Sequence, residues 1–274
     1  MTQTLALGPL TLPYSLLLVL AVIVIAPVAG QWVARRLGTD LESLPFRVMV
    51  VGFVVARVVY VARYYDAYLQ SPLAILDIRD GGWALWAGVA AAAITGIYLG
   101  VRRAPLRKPL AAAFGTAALL WIVGTLALDA MTNEQGTLPT TSLRALSGAS
   151  VALSGFAGKP TVVNLWATWC PPCRREMPVL LEAQASRPDV SFVFLNQGES
   201  PEKVRSFLAA QQWPLQNVLL DGRGEVASQL GVRGLPTTLF YDASGGLVDV
   251  RVGELSRATL TQRLGAAKLE HQPP

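Results

Sequence analysis

The first half of this chain is dominated by four apolar stretches, each long enough to cross about 30 Å of hydrocarbon as a helix. They cover roughly Leu12–Val33, Phe46–Ala62, Gly82–Val101 and Leu110–Leu128. Away from water a backbone must satisfy its own polar groups, and at this length the helix is the element that does so within one segment. The whole composition agrees, because a mean hydropathy of +0.42 with 15% charged residues is too apolar for one soluble globule of 274 residues. Met1 to Leu12 carries no Lys or Arg, so the first stretch lacks the basic n-region of a cleavable signal peptide and is expected to be retained.

Basic residues beside membrane spans stay on the cytoplasmic side. Arg35, Arg36 and Arg47 border the first loop, and Arg102, Arg103, Arg107 and Lys108 fill the third. Both loops are therefore expected inside and the N-terminus outside. Four crossings then place everything after Leu128 outside as well. In a bacterium this is a multi-pass protein of the inner membrane with its second half in the periplasm, where disulfides persist. The net charge of +5 and pI near 9.5 come from these loops, and no basic run interleaved with aromatics points to nucleic acid. Arg57 lies well inside the second stretch. An ionisable group there usually faces a polar partner: a lipid phosphate is one candidate, and pairing with another helix, or snorkelling if the span is shifted, is the plainer alternative.

From Asp129 to about Thr141 the apolar pattern gives way to Thr, Asn, Glu, Gln, Gly and Pro, a linker composition. The division expected is a membrane region over residues 1–130, a linker over 131–141 and a soluble domain over 142–274. Within that domain Thr161–Trp166 is a short apolar run that reads as a buried central strand. Pro171 to about Ser186 reads as a helix with proline in its first turn, and Val190–Asn196 as a second strand. Ser200 is expected to cap a helix that begins at Pro201. Thr237–Tyr241 and Leu247–Val252 flank a turn and form a hairpin, and Ser256 starts a last helix that reaches about Leu269. The fold class is thus a bundle of about four transmembrane helices joined to an α/β domain whose sheet is covered on both faces.

Cys170 and Cys173 are the only two cysteines. They stand as Cys-Pro-Pro-Cys directly after the expected central strand, a spacing that lets two sulfurs meet across the first turn of a helix and act as a dithiol–disulfide couple. A structural disulfide is the plainer alternative. Zinc needs four ligands, and here there is no second cysteine pair and one histidine, His271.

The run Trp166-Ala167-Thr168-Trp169-Cys170-Pro171-Pro172-Cys173-Arg174-Arg175-Glu176-Met177-Pro178, with Gly234-Leu235-Pro236-Thr237-Thr238 downstream, resembles the TlpA/ResA family of membrane-tethered, thioredoxin-like thiol-disulfide oxidoreductases. The resemblance covers about Leu143 to Leu269. It implies a thioredoxin fold in which Cys170 attacks and Cys173 resolves. Pro236 would be a cis proline facing the dithiol, with Leu235 offering a backbone edge to the client. Glu176 would shuttle the resolving thiol's proton, and Trp169 would support docking. Asn164 stands where soluble thioredoxins carry a buried aspartate, which shifts proton handling toward Glu176. No cofactor is implied.

A second resemblance lies in the membrane half. Ala56-Arg57-Val58-Val59-Tyr60, Tyr64 to Tyr68, Ser71-Pro72-Leu73 and Gly81-Gly82-Trp83-Ala84-Leu85-Trp86-Ala87-Gly88 resemble prolipoprotein diacylglyceryl transferase (Lgt), in a truncated and degenerate form, and Leu7-Gly8-Pro9-Leu10 also fits. Trp86 replaces that family's histidine and its later arginine-glycine signature is missing, so acyl-lipid transfer is disfavoured. No cysteine precedes Cys170, so the membrane half cannot relay electrons through cysteines.

The reading that results is a membrane-anchored periplasmic thiol-disulfide oxidoreductase, with the balance toward a disulfide reductase because neither residue between the cysteines is an imidazole that would favour an oxidising couple. Its expected partners are disulfide-bearing periplasmic proteins such as an apocytochrome c, a separate membrane electron donor of the DsbD type, and membrane lipid. The alternatives are a lipid-modifying transferase with a redox appendage and a non-catalytic tethered binding module.

Overall fold

A computed structural model describes residues 4–7, 10–41, 43–69, 72–77, 80–131, 136–232 and 234–266. Two compact units emerge, residues 12–133 and residues 134–274 together with 1–11. The chain opens with β1 (Thr4–Leu7) and β2 (Leu10–Pro13), which pair as a two-stranded sheet. Gly8 and Pro9, between them, lie outside the described residues, as do Ser71, Arg79 and His271.

The first unit is built on four long helices: α1 (Tyr14–Arg36), α2 (Leu44–Arg63), α4 (Leu85–Arg102) and α5 (Arg107–Met131), with the single-turn α3 (Tyr65–Leu69) and a 3-10 turn over Pro72–Leu76 between α2 and α4. All four are long and apolar enough to cross a membrane. They fall on the four expected stretches, with ends displaced by a few residues. Helix α4 begins at Leu85 rather than Gly82, because Asp80 and Gly82 are held in a turn by the Gly82 N–H bonded to the Asp80 carboxylate at 2.9 Å.

Helix α1 packs on α5 and α2 on α4. Lipid offers no hydrophobic drive for such pairs, so close packing must hold them. Gly52 and Gly88 provide it. A Cβ on Gly88 would lie 2.8 Å from the Gly52 carbonyl oxygen and 2.9 Å from the Ala56 Cβ, so the two backbones approach to a distance that only glycine permits. Arg57 is buried and paired within the chain, where it bonds the carboxylate of Asp80 at 3.0 Å.

The second unit is a seven-stranded sheet ordered β4-β3-β7-β6-β5-β8-β9. Its strands are β3 (Ser142–Ala145), β4 (Ser150–Ala152), β5 (Thr161–Trp166), β6 (Ser191–Gln197), β7 (Val218–Asp221), β8 (Thr237–Tyr241) and β9 (Leu247–Val252). Strands β5, β6 and β7 run parallel, whereas β8 and β9 and the β3–β4 pair are antiparallel additions on either side. The helices are α6 (Pro171–Ser186), α7 (Pro201–Gln211), α8 (Glu225–Gln229) and α9 (Arg257–Ala266). Alternate residues of a strand face opposite sides of its sheet, and the core divides accordingly. Val162 and Trp166 join one cluster with Met177, Leu180, Val204 and Leu260, while Val163 and Leu165 join the other with Leu143, Val226 and Leu239. Asn164 shares the face of Val162 and Trp166, the side that α6 covers.

Part of the expected linker is integral to this unit. Leu138 and Pro139 are buried, the Leu138 N–H donates to the Gly245 carbonyl at 3.0 Å, and the Leu247 N–H to the Gly136 carbonyl at 2.8 Å. Residues 136–139 thus lie along the β8–β9 hairpin. Residues 132–135, at the start of the expected linker, and Leu269, at the expected end of the last helix, lie outside the described residues.

Candidate active site

Strand β5 ends at Trp166, and the next four residues carry the chain over the sheet edge to the start of α6. Cys170 is the N-cap of that helix in an extended conformation, and Pro171 takes the first helical position, where a missing N–H leaves nothing unsatisfied. The Cys173 N–H points back to the Cys170 sulfur at 3.3 Å. The two cysteines form a disulfide, with Cα atoms 5.3 Å apart. A sulfur at a helix N-terminus lies among unpaired backbone N–H groups and the positive end of the helix dipole, both of which favour thiolate over thiol once the bond is reduced. Exposure separates the pair: Cys170 retains 3% and Cys173 none.

One turn beyond Cys173, Glu176 is completely buried. Its Oε1 accepts from the Asn164 side-chain amide at 2.7 Å and its Oε2 from the Leu255 N–H at 2.8 Å. Asn164 also donates to the Thr238 hydroxyl at 3.0 Å. Burial pushes the Glu176 carboxyl up to about 7, against the opposing pull of those two donors. A carboxyl poised near neutrality one helical turn from the deeper cysteine is equipped to take up and return a proton. Neighbouring contacts fix the 254–255 loop against α6, because Arg175 bonds the Glu254 carboxylate through Nε and an Nη at 2.9 and 2.7 Å.

Pro236 is buried and follows a cis peptide bond from Leu235. Thr237 pairs with Leu165 across the β5–β8 ladder, so Pro236 flanks the end of β5 from which the cysteine loop departs. Leu235 packs against the core cluster that contains both cysteines. Trp169 is 64% exposed, a large apolar surface beside Cys170. On the other flank, Pro171, Arg174, Arg175, Gln211 and Trp213 line an open cavity of about 300 Å³, and the Arg174 guanidinium lies 5.5 Å from the Phe207 ring centre.

Sequence reasoning missed Glu199. Its carboxylate accepts from the Thr168 N–H at 2.7 Å, the Thr168 hydroxyl at 2.6 Å and the Asn196 amide at 2.9 Å, and it pairs with Lys203 at 2.8 Å. Burial would raise this carboxyl, but the bonds from Lys203, Thr168 and Asn196 outweigh burial and hold it below the usual range. Glu199 thereby anchors the loop two residues before Cys170. Among the described residues no group of three His, Cys, Asp or Glu converges as a metal site.

Comparison with known proteins divides the chain at the same place. Residues 133–264 match the Redoxin family and residues 3–128 the Prolipoprotein diacylglyceryl transferase family. The thioredoxin-like protein YneN of Bacillus subtilis is 33% identical over 46% of this chain and 75% of its own length. The thiol-disulfide oxidoreductase ResA of Geobacillus thermodenitrificans is 31% identical over 48% of this chain and 76% of its own. A solved structure of a secreted Mycobacterium tuberculosis disulfide oxidoreductase homologous to E. coli DsbE is 29% identical, covering 46% of this chain and 96% of that one with a TM-score of 0.42.

Proposed function

The chain belongs to the thioredoxin-like family of ResA-type thiol-disulfide oxidoreductases, and from that premise we propose that its Cys170–Cys173 couple reduces disulfides of client proteins on the periplasmic face of the inner membrane. The observation that carries this reading is the pairing of an N-cap cysteine with a deeper cysteine one turn from a buried, near-neutral carboxyl.

The reduced enzyme begins the cycle. The Cys170 thiolate attacks one sulfur of the client disulfide, forms a mixed disulfide and expels the other sulfur as a thiolate. Cys173 then gives its proton to the Glu176 carboxylate and attacks the Cys170 sulfur. The second client sulfur departs as a thiolate, Glu176 returns its proton there, the first client thiolate takes a proton from water, and the enzyme is left as the Cys170–Cys173 disulfide. Two electrons have passed to the client, and a separate membrane donor of the DsbD type restores the dithiol. Leu235 and Pro236 present the backbone edge on which the client strand rests, and Trp169 covers the far side of the contact. An apocytochrome c fits the client class because its haem-attachment cysteines must be reduced before use.

Orientation follows from the basic loops on one side of the helices. Arg35, Arg36, Arg102 and Arg103 stay in the cytoplasm, so the second unit emerges in the periplasm. The lipid-transferase reading has no comparable site, since the Arg57 guanidinium is engaged by Asp80 and backbone carbonyls and Trp86 projects from α4 with 67% exposure.

The test is capture in cells. Cys173→Ala should accumulate mixed disulfides with clients through Cys170, and Cys170→Ala should accumulate none. Reporter fusions after residue 274 should be active only in the periplasm. Capture through Cys173 instead of Cys170, or a cytoplasmic reporter signal, would refute the scheme.

A further inference from the structure

The membrane half holds one feature that disulfide exchange does not use, the connection between α2 and α4. Helix α4 starts well short of the end of α2. The Ala84 N–H donates to the carbonyl of Ala56 at 3.1 Å, and Trp83 meets Phe53 edge to face with ring centres 5.5 Å apart. From Ala56 helix α2 continues to Arg63, about 10 Å further at the helical rise. Residues 72–77 and 80–84 therefore lie alongside the last turns of α2 rather than beyond its end.

Backbone at that depth has no water to bond and must find partners within the protein. Arg57 supplies them. Its Nε donates to the Ile75 carbonyl at 3.0 Å, one terminal nitrogen to the carbonyls of Ala74 and Asp77 at 3.1 and 3.0 Å, and the other to the Gly82 carbonyl at 2.8 Å and the Asp80 carboxylate at 3.0 Å. Every N–H of the guanidinium is engaged in the segment. The Tyr68 hydroxyl donates to Asp80 at 2.8 Å, so the one carboxylate bonded to Arg57 is further satisfied from α3. Gly82 has no alternative residue, because a Cβ there would lie 2.3 Å from the Tyr60 ring and 2.9 Å from an Arg57 nitrogen.

The opposite side of this segment is apolar and uncovered. Leu73 and Leu76 are 82% and 79% exposed, and Leu69 at the end of α3 is 68% exposed. Val58 on α2 and Leu85 and Trp86 at the start of α4 are likewise exposed apolar residues. The segment is thus as apolar on its exposed side as the spans that flank it in sequence.

We propose that residues 72–77 and 80–84 lie within the bilayer beside the end of α2, with Leu73 and Leu76 against acyl chains and Arg57 acting as the internal hydrogen-bond donor that makes this backbone tolerable there. The occupant of the exposed face is phospholipid. The inference rests on α2 and α4 being membrane spans, and it assigns Arg57 to holding protein backbone instead of a lipid phosphate.

The experiment uses the full chain with Cys170→Ser and Cys173→Ser, reconstituted in phosphatidylethanolamine–phosphatidylglycerol vesicles. An environment-sensitive fluorophore is attached at Leu73→Cys or Leu76→Cys, with Ile94→Cys on the exposed face of α4 as the reference. Both segment positions should be quenched by spin labels on the acyl chains and shielded from aqueous iodide, as Ile94→Cys is. Arg57→Lys, which keeps the charge and loses the planar fork, should raise iodide quenching at position 73 several-fold while leaving position 94 unchanged. Iodide quenching at 73 and 76 with position 94 still shielded would overturn that placement and leave the spans intact. Iodide quenching at all three would refute the spans as well. An unchanged position 73 in Arg57→Lys would overturn the role given to Arg57.

Discussion

The side-chain amide of Asn164 and the carboxylate of Glu176 meet at 2.7 Å between the central strand and the helix that carries both cysteines. Strand β5 delivers the amide and α6 the carboxylate, so this contact ties the buried carboxyl to the middle of the sheet. The amide cannot neutralise a charge, and the Leu255 N–H cannot either, so Glu176 has two neutral donors and only the weak pull of Arg251, offset by the Glu254 charge. That is why burial prevails and the carboxyl stays near neutrality.

Glu176 should make stability depend on pH in an unusual direction for a carboxyl. In the folded chain it holds its proton up to about pH 7, against an ordinary value of 4.5. The folded state therefore binds the extra proton between those limits, and stability falls as pH rises through that window, by about 3 kcal/mol in total. Glu176→Gln should lose this slope, at a baseline cost of about 1–3 kcal/mol because one of the Asn164 or Leu255 donors then faces an amide NH2. Equilibrium unfolding of the oxidised protein at pH 5 and pH 8 measures both effects. The same variant should slow resolution of a mixed disulfide while sparing its formation.

Glu199 should act on the site through the loop ahead of Cys170. Glu199→Ala leaves the Thr168 N–H and hydroxyl without their acceptor, at a cost of about 1–3 kcal/mol for each buried donor left unpaired. Disulfide turnover should fall with it, and faster hydrogen exchange at Thr168 and Trp169 would locate the cause. Exchange in that loop equal to wild type would contradict the anchoring role.

Gly88 should tolerate no side chain. A Cβ there would approach the Gly52 carbonyl oxygen to 2.8 Å, so Gly88→Ala forces α2 and α4 apart. The expected loss is about 1–3 kcal/mol, typical of overpacking, read as a lowered thermal midpoint in detergent. Gly115, with nothing within 4 Å of its Cβ position, is the matched control: Gly115→Ala should be neutral or slightly stabilising, as expected in a helix.

How much of this was legible in the sequence follows from what each residue depends on. Helices α1, α2, α4 and α5 announce themselves because lipid imposes long uninterrupted apolar runs. Strand β5 reads equally well, since a strand buried on both faces is a continuous apolar run with a sharp end. Strands β3 and β4 do not: they are short, Ser142, Arg144 and Ser150 are exposed, and the pairing of β3 with β7 is a tertiary fact that no local pattern signals. Cys170 and Cys173 are legible from spacing alone. Glu176 is legible as a position on α6, but its burial comes from Asn164 and from the Leu255 loop, distant in sequence. Glu199 sits between Gly198 and the Ser200 cap, where it resembles any loop carboxylate. Its partner Thr168 lies 31 residues away, and nothing between them signals the contact.

With Cys173 sealed and Cys170 showing only 3% of its surface, the couple is guarded by shape as much as by chemistry. Under the proposed function, a protein that lays an extended strand beside Trp169 should reach Cys170 more readily than a small thiol drifting through solvent. Traffic of electrons through this molecule should then be restricted to visitors able to dock.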